Sequence, residues 1–217
     1  MKHHLLFLAL LALPAYADTF YSNLDPAPNF YNSGSARSIS TADATFLGIA
    51  QGFRFTSGGT GVLNQIDLGV GFVPNFAGTL TVGLWSDGGT TVGTSLGSWN
   101  LTTTVQFGTS SSALTSVLTP GGPALTAGTS YFLTLSPRGT SGVWGAWNEV
   151  TTNANRFSSY DGGPWVSSDF GPLGAARLIG TSTATSVPEP TSILTLGGIL
   201  VLAVRRRRRP APAGLCQ

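Results

Sequence analysis

Residues 62–72, VLNQIDLGVGF, and residues 80–85, LTVGLW, decide the fold class of this chain. In both segments apolar side chains recur at every second position, which is typical of a β-strand with one buried face. Thr81, Gly83 and Trp85 are expected on the opposite face of the second strand. The apolar positions are Ile66, Leu68, Val70 and Phe72 in the first segment, and Leu80, Val82 and Leu84 in the second.

Strand-like segments continue on both sides of this pair, separated by turns such as Asp87-Gly88-Gly89. An edge strand is expected near Phe20, and the rest of residues 18–37 is expected to be an irregular leading segment. Residues 18–186 show no helical periodicity. Short strands at this spacing predict an all-β sandwich or barrel, and we favour a jelly-roll-like β-sandwich whose strand order stays open. The further strand segments are residues 47–55, 91–101, 105–107, 114–118, 131–136, 143–148, 155–160 and 176–180.

Charged residues make up only 9% of the 217-residue chain, while 41% of it is hydrophobic. This composition argues against a helical bundle held by charged i,i+4 pairs and against an acidic disordered chain. The net charge of +2 depends on the chain ends, because residues 18–186 contain eight carboxylates, five arginines and no lysine. These residues have a net charge of about −3. They lack the positive field that phosphate contacts need, so no nucleic-acid partner is expected.

The N-terminus has the three parts of a secretory signal peptide. A basic start precedes the apolar residues 5–13, and Ala15 and Ala17 form an A-x-A cleavage site. We predict export by the Sec machinery and cleavage by signal peptidase after Ala17, so that residues 1–17 are removed. The alternative is a buried N-terminal helix.

The C-terminus has a second three-part pattern. Pro188, Glu189 and Pro190 form a stiff segment, because proline cannot continue a helix or a central strand. Residues 191–204 are almost wholly apolar, and as a transmembrane helix they would be about 21 Å long, short of the roughly 30 Å core of a bilayer. The positive-inside rule would keep the following arginines cytoplasmic and stop translocation there. These arginines are Arg205, Arg206, Arg207, Arg208 and Arg209.

Pro-Glu-Pro, a short apolar helix and an arginine cluster in this order resemble the PEP-CTERM sorting signal of Gram-negative bacteria, over residues 187–209. The resemblance implies Pro188, Glu189 and Pro190 as the recognition motif of an exosortase, a membrane-embedded cysteine protease or transpeptidase. It also implies an inner-membrane intermediate, a final place at the cell surface or in the extracellular matrix, and a link to exopolysaccharide and biofilm. Residues 210–217 would be a cytoplasmic tail beyond the usual ending. The alternative is an ordinary single-pass anchor with a proline-rich stem.

The predicted extracellular domain, residues 18–186, contains four short segments that share a pattern with a known group of proteins. These segments are QGFRF at 51–55, IDL at 66–68, LTVGLWSD at 80–87 and LTAGTSYFL at 125–133. They resemble the bacterial choice-of-anchor domains, which are secreted β-sandwich modules found with different C-terminal surface anchors. The resemblance covers most of residues 51–148. It implies a surface-sorted module and supplies no catalytic residues.

Residues 18–186 contain few of the side chains on which enzymes depend. They lack histidine, lysine and cysteine, so nucleophilic catalysis is not expected. A carboxylate pair for glycoside hydrolysis would come from Glu149, Asp161 and Asp169, although Asp161 lies in a turn sequence. We expect no catalytic residue, no cofactor and no metal site, with calcium at the Gly-Gly turns as the alternative. The histidines and the cysteine lie in the terminal segments: His3, His4 and Cys216.

Four aromatic residues within 22 positions are candidate glycan contacts: Trp144, Trp147, Tyr160 and Trp165. Aromatic faces stack on sugar rings, and Asn148 and Asp161 could add hydrogen bonds. The alternative is that these rings pack in the core or cover a sheet edge. Trp144 and Trp147 face opposite ways on a regular strand, so one could be core and the other exposed, unless Gly145 introduces a bulge.

These observations predict an exported, non-enzymatic surface or matrix protein with a structural or adhesive role. The alternative is a carbohydrate-binding module whose partner is an extracellular polysaccharide. A glycan-processing enzyme is the third hypothesis, and it depends on the paired carboxylates.

Overall fold

The computed structural model describes residues 17–42, 47–139 and 142–183, and within these ranges all helical or sheet structure is β-strand. The described residues belong to one compact unit that ends at Thr183. The all-β class predicted from the alternating apolar positions is therefore confirmed. The strands are β1 (Ala17–Ser22), β2 (Asn32–Ser40), β3 (Ile49–Thr56), β4 (Gly61–Leu68), β5 (Val70–Phe72), β6 (Thr79–Asp87), β7 (Val92–Leu101), β8 (Thr115–Leu118), β9 (Ala124–Leu125), β10 (Ser130–Arg138), β11 (Trp144–Tyr160), β12 (Val166–Gly174) and β13 (Ala176–Ser182).

The strands form two antiparallel sheets, an arrangement consistent with a β-sandwich. One sheet has five strands in the order β1-β13-β4-β8, with β9 also paired to β4. The other has eight strands in the order β12-β11-β2-β3-β10-β6-β7, with β5 paired to β11. Apolar side chains of both sheets share one core, which includes Leu63, Ile66, Leu68 and Leu178 from the first sheet and Ile39, Phe53, Leu84 and Leu133 from the second.

Residues 62–72 cross from one sheet to the other. The sequence predicts one strand here, whereas the chain forms β4 in the five-stranded sheet and β5 beside β11 in the other. The corner falls at Gly69, between the two strands. Glycine is needed there, because a Cβ would lie 2.5 Å from Tyr31 Cδ1 and 2.8 Å from the Ala175 methyl. The alternation continues across the corner, since both sheets cover the same core. The predicted buried set is at most 1% exposed: Ile66, Leu68, Val70 and Phe72.

β11 carries three of the four candidate aromatic residues. The sequence predicts two strands, residues 143–148 and 155–160, but the structure has one strand of 17 residues. Its first part pairs with β2 and β5, and its later part pairs with β3 and β12. This exchange of neighbours provides backbone hydrogen bonds along a strand whose middle is polar. One element therefore positions Trp144, Trp147 and Tyr160.

The structure corrects three further sequence expectations and confirms a fourth. β2 begins within the segment expected to be irregular and continues past its end to Ser40. Its core side chain is Ile39, and backbone pairing with β11 holds it in the sheet. β12 was not predicted, since its sequence VSSDFGPLG does not alternate. Residues 105–107 contribute an isolated bridge between Phe72 and Gln106 rather than a strand. The edge strand expected near Phe20 is confirmed as β1.

The two ends of the described domain lie side by side. β1 and β13 are antiparallel neighbours, with Ala17 opposite Thr181. The chain leaves β13 beside the turn between β3 and β4, where the N–H of Thr183 donates to the Thr60 carbonyl at 3.0 Å. The first and last described residues therefore mark the same end of the domain, which we call the terminal end.

Candidate functional site

Trp147, one of the four candidate glycan contacts, is a core residue. Trp147 is 1% exposed, and the centroid of its ring lies 5.3 Å from that of the Phe53 ring. The indole N–H donates to the Ala175 carbonyl at 3.0 Å. Gly174 makes room for the ring, since a Cβ there would lie 2.3 Å from an indole carbon. Trp147 therefore has no face free for a ligand, and its large apolar surface stabilises the core instead.

Trp144 and Tyr160 lie at the two ends of β11. Trp144 is partly buried outside the core cluster, as its odd spacing from Trp147 predicts. Its indole N–H donates to Ser38 Oγ at 2.9 Å, and its ring meets that of Phe76 edge to face at 5.2 Å. Tyr160 is 47% exposed. Neither Trp144 nor Tyr160 contributes to the cleft that Trp165 lines.

Trp165 lines a cleft of about 380 Å³ together with Trp85, a residue that the sequence analysis did not single out as a ligand contact. The volume lies within the range of small-molecule sites. A usable signal existed, because the alternation in residues 80–85 places Trp85 on the face opposite the core side chains. The cleft is also lined by small and polar residues, including Thr41, Gly48, Ala50, Ser136 and Ser159.

Two glycines make room for the two indoles of this cleft. Gly52 of β3 and Gly83 of β6 lie on either side of Thr134 of β10, in register. A Cβ at Gly83 would lie 2.7 Å from Trp85 Nε1, and a Cβ at Gly52 would lie 3.3 Å from Trp165 Cζ3. The Trp85 indole N–H donates to Thr134 Oγ1 at 2.9 Å. The sheet thus fixes the orientation of the Trp85 ring without any ligand.

The turn between β11 and β12 forms part of the cleft wall. Asp161 and Gly162 have positive φ angles of 50° and 71°, and the N–H of Gly163 donates to the Tyr160 carbonyl at 2.8 Å. These are the features of a type I′ hairpin turn, so the turn predicted here is confirmed. Asp161 Oδ1 accepts the N–H of Gly48 at 2.7 Å, which ties the turn to the segment before β3.

The carboxylates proposed for glycoside hydrolysis do not meet in this cleft. Glu149 is 9% exposed and contacts two arginines, Arg37 through Nε at 2.8 Å and Arg156 through a guanidinium nitrogen at 3.6 Å. Asp161 borders the cleft, whereas Glu149 is absent from its lining. The Asp169 side chain lies outside the described part of the structure. Glu149 and Asp161 are therefore placed for separate structural contacts.

Within the ranges that the structure describes, no cluster of three or more Asp, Glu, His and Cys side chains could hold a metal ion. In the same ranges, no helix has the length and apolarity needed to cross a bilayer. Ala17, at the predicted signal-peptide cleavage site, begins β1. The other targeting predictions fall outside the described residues: Ala15, Pro188, Glu189, Pro190, Arg205, Arg206, Arg207, Arg208 and Arg209.

No protein-family model matches the sequence, and no curated protein matches it. The function is therefore inferred from the residues and their geometry.

Proposed function

We propose that this chain is an exported, non-enzymatic surface or extracellular-matrix protein of a Gram-negative bacterium, sorted through a PEP-CTERM signal in residues 187–209. The Sec machinery exports it, signal peptidase removes residues 1–17, and an exosortase processes the inner-membrane intermediate. The mature part is a jelly-roll-like β-sandwich with a structural or adhesive role in an exopolysaccharide or biofilm matrix. The observation that carries the proposal is the order Pro-Glu-Pro, short apolar segment and five arginines behind an all-β domain.

The position of the chain ends supports this topology. Ala17 and Thr181 are neighbours in the sheet, so a tail that follows Thr183 starts from the terminal end of the domain.

The side chains of the domain support a non-catalytic role. Residues 18–186 have no histidine, lysine or cysteine, which removes the commonest bases and nucleophiles. The carboxylate of Glu149 is engaged by Arg37 and Arg156.

The cleft between Trp85 and Trp165 favours a second candidate function, that of a carbohydrate-binding module. Two indoles border one cleft of ligand size, and most of the remaining lining residues are small or polar. Binding to polysaccharide would be the molecular basis of an adhesive role, so the two candidates describe one protein at different levels.

The sorting proposal is tested by expressing the full-length chain in a host that encodes an exosortase, with and without Pro188, Glu189 and Pro190. We expect the intact chain to reach the surface or matrix without its five arginines, and the deletion variant to keep them and stay with the inner membrane. Deletion of residues 210–212, Pro-Ala-Pro, is the matched control and should leave sorting unchanged. Retention of the arginines in the wild-type protein, with the same location for the deletion variant, contradicts the proposal.

A further inference from the structure

We propose that the cleft between Trp85 and Trp165 binds an extended chain of neutral, equatorially linked hexopyranose units, as in a β-glucan. The inference rests on the proposed function for its setting, a polysaccharide matrix outside the cell, and it specifies the ligand class of the cleft. It is carried by the spacing of the two glycines beneath the indoles, the charge of the lining, the hydrogen bonds that hold the two tryptophans and the place of the cleft in the domain.

The spacing of the two glycines beneath the indoles matches a sugar chain rather than a single ring. Trp165 approaches Gly52 and Trp85 approaches Gly83. These glycines lie two strands apart, on β3 and β6 with β10 between them. Neighbouring strands are about 4.8 Å apart, so the two positions are separated by about 10 Å. An extended, equatorially linked chain places two pyranose rings in this distance, and each ring offers a C–H face that an indole can cover.

The charge of the lining selects a neutral chain. Among the described residues that line the cleft, Asp161 carries the charge and the remainder are neutral. Sulfated, phosphorylated or uronate sugars need cationic partners, which this lining does not supply, and the Asp161 carboxylate would repel them. Neutral sugar hydroxyls instead match the hydroxyl groups of Thr41, Ser136 and Ser159.

Hydrogen bonds hold the Trp85 indole and the Trp165 backbone before a ligand arrives. The N–H of Trp85 donates to Thr134 Oγ1 at 2.9 Å, and Thr134 is 2% exposed. The carbonyl of Trp165 accepts the Thr91 hydroxyl at 3.1 Å, which links this residue to the turn between β6 and β7. Because the platform is already ordered, a stacked ligand loses less affinity to side-chain ordering.

One wall of the cleft lies at the end of β3 away from the terminal end. Ile49 and Ala50, at the start of β3, line the cleft, whereas Thr60 in the turn after β3 contacts the last described residue. β3 runs from Ile49 to Thr56, a length of about 23 Å at roughly 3.3 Å per residue. This part of the cleft is therefore separated along β3 from the point where the described chain ends.

A larger groove of about 660 Å³ offers a different chemistry. It is lined by Tyr21, Arg54 and Thr56, among others, and contains no indole. Arg54 in this groove pairs with Asp87. The groove therefore provides a matched place for a control substitution outside the cleft.

The experiment titrates the full-length chain, purified in a sugar-free detergent, with cellohexaose, laminarihexaose, mannohexaose and hexagalacturonate. Calorimetry and tryptophan fluorescence are the readouts. We expect at least one neutral hexamer to bind and to shift the tryptophan emission, and the anionic hexamer to bind at least tenfold more weakly. Trp165→Ala and Trp85→Ala should each weaken binding by about tenfold, whereas the Trp→Phe variants at both positions should retain most of it.

The controls are Trp144→Ala and Arg54→Gln, which should leave the affinity within twofold of wild type. Circular dichroism checks the fold, and Thr134→Val replaces Trp85→Ala if that variant does not fold; we expect weaker binding because the Trp85 N–H loses its acceptor. No binding of any neutral hexamer at millimolar concentration overturns the proposal, as does binding that survives both cleft substitutions or is lost with Arg54→Gln. Sorting is measured separately by tail processing in the host, so failure of glycan binding leaves the sorting proposal to its own test.

Discussion

At the scale of single residues, two tryptophans three positions apart on β11 have opposite roles. Trp147 is 1% exposed and packs on Phe53, while Trp144 is partly exposed on the other side of the strand. The period of two along a strand explains the difference. Their odd spacing in the sequence therefore predicts that the two rings face opposite ways. Which of the two is buried depends on the partner strands.

Replacing Trp147 by alanine should lower the free energy of unfolding by about 3–5 kcal/mol, because it leaves a large cavity in the core and removes the partner of the Ala175 carbonyl. Urea unfolding followed by circular dichroism measures this change. Trp144→Ala is the matched control on the same strand and should cost less than half as much. Equal costs for the two variants contradict the assignment of Trp147 to the core.

Asp67 gives the domain an acid-sensitive contact on β4. Burial acts to raise the pKa of its carboxyl, but hydrogen bonds from Ser116 and Gln65, both at 2.6 Å, and the Arg177 guanidinium at 2.7–2.9 Å together hold that pKa below its usual range. A lowered folded-state pKa contributes stability above the unfolded value of about 4, and this contribution is lost as the pH falls through the folded-state pKa.

The variant Asp67→Asn should therefore be less stable than wild type at pH 7, and the gap should narrow as the pH falls below about 4. Thermal unfolding of both proteins between pH 2.5 and pH 7 measures the gap. Parallel stability curves over this whole range speak against the role of the carboxylate.

At the scale of elements, the hairpin of β11 and β12 builds one side of the cleft. Its turn depends on positive φ at Asp161 and Gly162, a conformation that costs most residues about 1–2 kcal/mol. A Cβ at Gly162 would meet no atom within 4 Å. A substitution there consequently tests backbone conformation without steric overlap.

Gly162→Ala should reduce the free energy of unfolding by about 1–2 kcal/mol, and Gly162→Asn should cost less because Asn tolerates the left-handed region. Chemical denaturation of the two variants beside wild type provides the comparison. An alanine variant as stable as wild type contradicts the type I′ assignment.

The alternation of apolar residues predicts the strands that bury a regular face, but not their partners. Residues 62–72 show the limit, because the buried side chains were predicted and the change of sheet at Gly69 was not. β2 is a strand that its own sequence pattern does not predict, and its pairing with β11 keeps it in the sheet. Both features depend on contacts between segments far apart in the chain.

The candidate site shows the same division between local and long-range information. The Asp161-Gly162 turn was predicted from its residues, and Trp165 was chosen as an aromatic candidate. Trp85 joins Trp165 only because β6 and β3 lie on either side of β10. The sequence predicts that Trp85 faces away from the core, but it does not predict that Trp165 lies at the same cleft.

At the scale of the whole molecule, the terminal segments and the all-β domain differ in charge as well as in sequence pattern. Five of the eleven basic residues of the chain form one run near the C-terminus, whereas residues 18–186 have a net charge of about −3. In our proposal the arginine run stops translocation and is then removed, and the all-β domain remains outside. The neighbouring positions of Ala17 and Thr181 allow both terminal segments to leave from one end of the domain.

Intact-mass spectrometry of the protein recovered from the surface or matrix of its native cells tests this central claim most directly. The account predicts a chain that begins at Asp18 and lacks Arg205, Arg206, Arg207, Arg208 and Arg209. Recovery of a chain that still reaches Gln217 would contradict it.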